Sequence, residues 1–257
     1  MPAGDALAMR LRVLGCAGGF PAADNPNSGY LLEEGKTRIW IDAGTGTFAA
    51  IQPHATDYER IDALVLSHFH ADHCADVYPL HVALQYEKKA RMKLFGPPGT
   101  LEALGGLLGE DGVDKLAEVF DFQAVEEGSE VCLAGVRLTF RRTEHPIHTL
   151  AIRAASESGV LVYSADTGPG IDLVPFARGA DLFVCEATYQ NERQGKPVHL
   201  TAAQAGETAR RAAVGALVLT HHWPTFDQEM SLAEARETAG SVPVRLARPG
   251  EVYFVRN

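Results

Sequence analysis

The chain has 257 residues, 46% hydrophobic and 22% charged, with 25 glycines and 14 prolines, a mix that excludes a disordered or fibrous protein. A formal net charge of −10, with never more than two consecutive Lys or Arg, argues against a broad electrostatic grip on nucleic acid. No run of about 18 apolar residues is present to span a bilayer, and the opening MPAGDALAMR carries an acid where a secretory signal needs a basic segment, so a cytoplasmic protein is expected.

Short β-type runs come first, at 11–14, 30–32 and 38–42, separated by loops such as GCAGGFPAADNPNSG. They read as an antiparallel opening. From Ala63 strands and helices alternate: strand ALVLS, a helix over 77–89, strand MKLFG, and a helical region to about Phe120. Residues 122–163 return to a β pattern (VCLAGVRLTFRR, TLAIRAA, GVLVYS), which reads as a second antiparallel set. Then follow a helix over 171–178, strand DLFVCEA, a helix over 201–213, strand ALVLT, a helix over 231–239 and two closing strands. Thr201-x-x-Gln204 and Ser231-x-x-Glu234 both read as capping boxes. Two β-then-α halves with no linker between them predict a four-layer αββα sandwich of the α/β (α+β) class, one domain over 1–257.

Four cysteines, Cys16, Cys74, Cys132 and Cys185, form no C-x-x-C pair, which excludes a zinc knuckle or a thioredoxin-type motif. The chemistry concentrates in SHFHADH, directly after the apolar strand ALVL. Positions i and i+2 of an extended segment point to the same side, so His68 and His70 can share one ion. Asp72 and His73 fall where the chain turns toward the next helix and can face a second ion. His145, Asp166 and His221 each stand at the end of a predicted strand, where open sheets place their ligands. Carboxylates bridge and imidazoles do not, which makes Asp166 the natural shared ligand of two ions about 3.5–4 Å apart. The expected sets are His68, His70, His145 and Asp166 on one cation, and Asp72, His73, His221 and Asp166 on the other. Zinc is the default for such ligands, with manganese or iron as alternatives.

In this order of motifs the sequence resembles the metallo-β-lactamase-fold hydrolases, from Asp42 to His221. That resemblance implies the αββα fold and gives Asp42, in IDAGTGT, the role of orienting a ligand histidine. VYSADTG, VCEATY, HLTAAQAGETAR and LVLTHH are similar to the RNase Z-like branch, whose glutamate and histidine beside the metals correspond here to Glu186 and His199. The implied chemistry is attack of metal-generated hydroxide on phosphorus, with His199 protonating the departing alkoxide and Glu186 orienting it. Asp72 is a candidate to take the nucleophile's proton, with basicity limited by its role as a ligand.

Within the branch, bacterial RNase Z carries a tRNA-clamping arm between the third-motif histidine and the bridging aspartate. Here His145 and Asp166 are 21 residues apart, room for a strand, a turn and a strand. SGYLL, SHFHADHC, GPPGT, YSADTG, FVCEAT and HLTAAQAG resemble the short, arm-less cyclic-nucleotide phosphodiesterases, and Cys74 fits that pattern. A dinuclear-metal phosphodiesterase acting on a small substrate such as 3′,5′-cyclic AMP is therefore expected. RNase Z-type tRNA 3′-processing and a non-hydrolytic metal-binding module are the alternatives. Relatives commonly dimerise, so a homodimer belongs to what the resemblance implies. Asn27-Ser28 could donate to phosphate, and His222 and His148 could shape the pocket; turn formation and structural roles explain them as well.

Overall fold

The computed structural model describes residues 8–192 and 197–256; the first seven residues, which the targeting argument used, lie outside it. The three opening strands are β1 (Arg10–Gly15), β2 (Gly29–Glu34) and β3 (Thr37–Ile41), and their pairing is antiparallel. Helix α1 (Thr47–Ile51) leads to β4 (Ala63–Val65), and the short α2 (Ala71–Cys74) to α3 (Val77–Val82). After β5 (Met92–Gly96) come α4 (Thr100–Gly105), α5 (Gly112–Val119) and β6 (Phe120–Ala124). The antiparallel set is β7 (Glu130–Leu133), β8 (Val136–Arg142), β9 (Leu150–Ala155) and β10 (Val160–Tyr163). The last third runs α6 (Val174–Ala177), β11 (Leu182–Glu186), α7 (Ala202–Ala212), β12 (Leu217–Thr220), α8 (Gln228–Ala239), β13 (Val244–Leu246) and β14 (Val252–Phe254).

The strands form two seven-stranded sheets, ordered β14-β1-β2-β3-β4-β5-β6 and β13-β12-β11-β10-β9-β8-β7. Alternation along the strands decides the layering. Val13, Tyr30, Ile39, Ile41 and Val65 of one sheet meet Leu138, Phe140, Ile152, Leu161, Tyr163 and Val184 of the other in a buried apolar layer. Leu31, Trp40, Leu64 and Leu94 point the opposite way onto Val77, Leu80, Leu104 and Leu116. Val162, Phe183, Leu217 and Leu219 point onto Ala205, Ala209, Leu232 and Ala235 of α7 and α8. The result is helix, sheet, sheet, helix, the αββα sandwich that the sequence predicts. Among the described residues no helix is long and apolar enough to cross a membrane.

Several local expectations are corrected. The helix over 77–89 widens to a π-helical stretch at Ala83–Lys88 and stops where Lys89 turns left-handed at φ 50°. The helical region before Phe120 breaks at its glycines, with Gly109 at φ 93°, into α4 and α5. Phe120 already belongs to β6, which pairs in parallel with β5, so this strand joins the first sheet rather than the antiparallel set. Helix α6 starts three residues later than expected, because Gly168 and Gly170 ahead of it are tied to Glu144 and hold the chain in a loop. Finally, β14 crosses back to pair antiparallel with β1, a long-range closure with no local signature.

Of the two capping boxes, only one forms. Thr201 Oγ1 accepts from Gln204 N while Gln204 Oε1 accepts from Thr201 N. Ser231 lies inside α8, whose cap is Asp227 accepting from Glu229 N, and Glu234 instead accepts from Asn191 N. Thr201→Ala should therefore cost about 1 kcal/mol, or roughly 2–4 °C in Tm for a domain of this size. Ser231→Ala should cost less than half of that in the same thermal melt, since no helix end depends on it.

Candidate metal centre

Most of the sequence-predicted site residues stand at strand ends or in the loops just beyond them, while Asp72 and His73 lie in the short α2 and His199 precedes α7. Strands β3 and β4 run in parallel, so Asp42 and the Ser67-His68 segment leave one sheet at the same edge. Strands β10, β11 and β12 are parallel too, and Asp166, Glu186 and His221 lie at their C-terminal ends. Three of these junctions are left-handed: Asp42 at φ 55°, Ala165 at 51° and His221 at 56°. Non-glycine residues avoid that region, and strained backbone of this kind persists where the surroundings over-determine it, commonly at functional sites.

The structure brings all seven expected metal ligands into one cluster. On one side His145 Nε2 is 3.1 Å from His70 Nδ1, and His68 Nε2 and His145 Nε2 are each 3.7 Å from Asp166 Oδ2. On the other side Asp166 Oδ1 is 3.2 Å from His73 Nε2 and 3.4 Å from His221 Nε2. Asp72 Oδ2 is 3.2 Å from His221 Nε2 and 3.7 Å from His73 Nε2. The two oxygens of Asp166 thus face different histidine sets, the division required of a bridging carboxylate. Donor atoms of His68, His70, His145 and Asp166 lie within 4.8 Å of one another, as do those of Asp72, His73 and His221. A third grouping, Asp166, His199 and His221, meets the same distance, but His199 Nδ1 is engaged by Glu186 at 3.0 Å.

The donor chemistry fits divalent cations. His68 Nε2, His73 Nε2 and Asp166 Oδ1 are buried and lack a properly aligned hydrogen-bond partner, and an unsatisfied buried polar group costs about 1–3 kcal/mol. Shared cations would satisfy all three. Burial pushes the pKa of His68, His70 and His145 down, which favours the neutral ring that ligates metal. Burial acts the same way on His73, but the Asp166 and Asp42 carboxylates reverse it and raise its pKa; a cation at Nε2 would replace the proton they favour.

Around the cluster, buried side chains fix the histidine rings. Asp42 Oδ2 lies 2.8 Å from His73 Nδ1 and also accepts from Ser67 Oγ and Tyr163 Oη, while Oδ1 accepts from Ser67 N. Thr188 Oγ1 is 2.7 Å from His221 Nδ1 and donates to Glu186 Oε2. Glu186 is fully buried, also accepts from Thr167 N and Leu200 N, and meets His199 Nδ1. Burial lowers the pKa of His199, but the charge and hydrogen bond of Glu186, with Asp166 beyond, raise it to about 9. Glu144 accepts from Gly170 N through its carboxylate and from Gly168 N through its carbonyl, tying the chain before His145 to the loop after Asp166.

Ser67, Tyr163 and Thr188 stand inside the motifs SHFHADH, VYSADTG and VCEATY, which assign them no role, and Glu144 is marked only by its place before His145. Other candidates fall outside the cluster. Cys74 is buried among Leu80, Leu84 and Leu104, and burial pushes its thiol up to about 12, which keeps it protonated. His222 is buried, with its pKa lowered to about 4 by burial and by His221. Asn27 and Ser28, for which phosphate donation and turn formation were both open, are buried, and Asn27 Nδ2 donates to Ala17 O inside the loop, as the turn-forming role requires. Asp42→Asn should weaken metal retention about 10- to 100-fold, the usual cost of losing such an orienting partner, measured by competition with a chelator.

Residues 37–222 match the family model described as beta-lactamase superfamily domain. Rv1339 of Mycobacterium tuberculosis is 36% identical over 98% of this chain and 94% of its own length. The crystal structure of the metallo-β-lactamase fold protein YhfI from Bacillus subtilis superposes with a TM-score of 0.86 at 29% identity, covering 96% of this chain and 99% of that one. Ribonuclease Z of Methanopyrus kandleri is 29% identical over 96% of this chain and 98% of its length. With that match running from β3 to His222, and a histidine and aspartate cluster able to hold metal at the strand ends it spans, the chain belongs to the beta-lactamase superfamily and is a metallo-hydrolase.

Proposed function

We propose that this metallo-hydrolase acts in the cytoplasm as a phosphodiesterase on a small cyclic phosphodiester, with 3′,5′-cyclic AMP representing the substrate class. The observation that carries this reading is the Glu186–His199 pair against Asp166. Against the effect of burial, the Glu186 carboxylate raises the pKa of His199, which favours a proton on both ring nitrogens. With Nδ1 held by Glu186, Nε2 is left to hand its proton to a departing alkoxide, which phosphodiester cleavage supplies.

His68, His70, His145 and Asp166 would hold one divalent cation, and Asp72, His73, His221 and Asp166 a second. Bound there, zinc or a similar metal supplies charge neutralisation at phosphoryl oxygens and a lowered pKa for water. The chain does the rest. Asp42 and Thr188 fix the rings of His73 and His221. Asp72, with 13% of its side chain exposed, lies at the open side of the cluster and can take a proton from the nucleophile.

A small substrate is supported by the stretch between His145 and Asp166, which is occupied by the β9–β10 hairpin and its flanking loops. The net charge of −10 points the same way. Processing of tRNA is the second reading, favoured by the ribonuclease Z relative. The test is hydrolysis of 3′,5′-cyclic AMP by zinc- or manganese-loaded protein, with unprocessed tRNA in parallel and Asp166→Ala as control. Turnover of the nucleotide, lost in the variant, is expected. Cleavage of tRNA alone would establish the second reading, and silence toward phosphodiesters, thioesters and lactones would favour a metal-binding module without turnover.

A further inference from the structure

Phe20 is 42% exposed, an aromatic ring in water beside an otherwise polar site. It sits in the β1–β2 loop, edge-on to Trp223, with ring centroids 5.4 Å apart at 89°, and Trp223 in turn leans on Phe226 at 6.4 Å. Trp223 is two residues past His221, so both sides of the pair are anchored to the cluster. Gly18 N donates to His222 O and His222 N to Cys16 O, while Gly19 N donates to Asp72 Oδ2 at 2.8 Å. The two glycines make this approach feasible. A Cβ on Gly18 would stand 2.6 Å from His221 Nδ1, and one on Gly19, which has φ +73°, 2.8 Å from the Trp223 indole. The loop therefore lies flat on the cluster and delivers Phe20 to its rim. Asp72 and His199 on this side retain 13% and 14% side-chain exposure, and His70 is partly exposed too, whereas His68 and His73 have none.

We infer that the corner between the Phe20 and Trp223 rings is a platform for the base of a nucleotide, stacked on the face of one ring and edged by the other, while its phosphate occupies the metal cluster. A ligand that satisfies both halves of this surface needs an anionic end and, one ring away, a flat apolar face. A nucleotide has both. Stacking reads a π face rather than a hydrogen-bonding edge, so adenine and guanine nucleotides bind alike and pyrimidines more weakly. Loss of the platform weakens binding by on the order of tenfold. The inference rests on the phosphodiesterase reading for the identity of the substrate, but base stacking can be measured without turnover.

The chain has two tryptophans, and Trp40 is fully buried, so a ligand-dependent change in emission reports Trp223. In metal-loaded protein, AMP and GMP should quench that emission while ribose 5-phosphate, with a phosphate but no base, does not. Phe20→Ala should weaken AMP binding and raise KM for 3′,5′-cyclic AMP about tenfold with little change in kcat; Phe20→Tyr, which restores a ring, should recover both. If AMP leaves Trp223 emission unchanged, or if Phe20→Ala keeps the wild-type KM and AMP affinity, the platform is refuted while cyclic AMP turnover still stands. If AMP quenches in a ring-dependent way but no cyclic nucleotide is hydrolysed, the platform stands and the phosphodiesterase reading falls.

Discussion

Replacing His199 by alanine should lower kcat for cyclic AMP by about 10²- to 10⁴-fold, the usual worth of a positioned general acid, while the metal content stays at the wild-type level. The fold should survive the change. Glu186, though buried, keeps Thr167 N, Leu200 N and the Thr188 hydroxyl as partners, so no orphaned carboxylate is created. The companion variant Glu186→Gln separates positioning from chemistry through its pH profile. Glu186 raises the pKa of His199 toward about 9, and a group that must be protonated to act fails as pH rises through its pKa. Without the carboxylate the alkaline limb of kcat should therefore move to lower pH. A metal-replete His199→Ala enzyme with wild-type turnover would remove this residue from the mechanism.

The largest loss is expected from Asp166→Ala. Its two oxygens face the two histidine sets separately, so in the proposed two-cation arrangement one substitution would remove a ligand from each cation and the link between them. With several kcal/mol of charge stabilisation at stake, turnover should fall on the order of 10⁴-fold or more, and elemental analysis should find fewer than one cation per chain. Stability should follow. Wild-type protein loaded with metal at about 100 times Kd gains roughly 2.7 kcal/mol, so a chelator should lower its Tm by several degrees and that of Asp166→Ala by much less. Full metal content in Asp166→Ala would contradict the bridging role.

What the sequence made legible divides by range. The clustering of SHFHADH was readable because its candidate ligands are nearly contiguous and the i, i+2 geometry of an extended segment is local. His145, Asp166 and His221 were readable because each follows an apolar run that could be recognised as a strand. The alternating pattern likewise exposed the two β-then-α halves. The pairing of β14 with β1 was not legible, since nothing local distinguishes a strand that closes one sheet from a strand that extends the other. Nor was the failure of the second capping box: Ser231-x-x-Glu234 has the right letters, but Asp227 caps α8 one turn earlier and Glu234 faces the chain at Asn191. Of the two readings open for Asn27, the turn-forming one holds, because its amide serves the loop's own backbone, a contact that composition alone does not single out. Tyr163 and Thr188 reach the site only through sheet packing, so their roles on Asp42 and His221 emerge with the tertiary structure.

Central to the account is attack of water on phosphorus at the Asp166-bridged cluster, followed by departure of an alkoxide protonated by His199. Hydrolysis of 3′,5′-cyclic AMP in ¹⁸O-labelled water, followed by mass spectrometry of the product, tests that claim most directly. The account predicts AMP with a single ¹⁸O on its phosphate, formed by the metal-loaded wild type and lost in Asp166→Ala. Product with the label on the ribose, or no nucleotide turnover by protein carrying both cations, would contradict it.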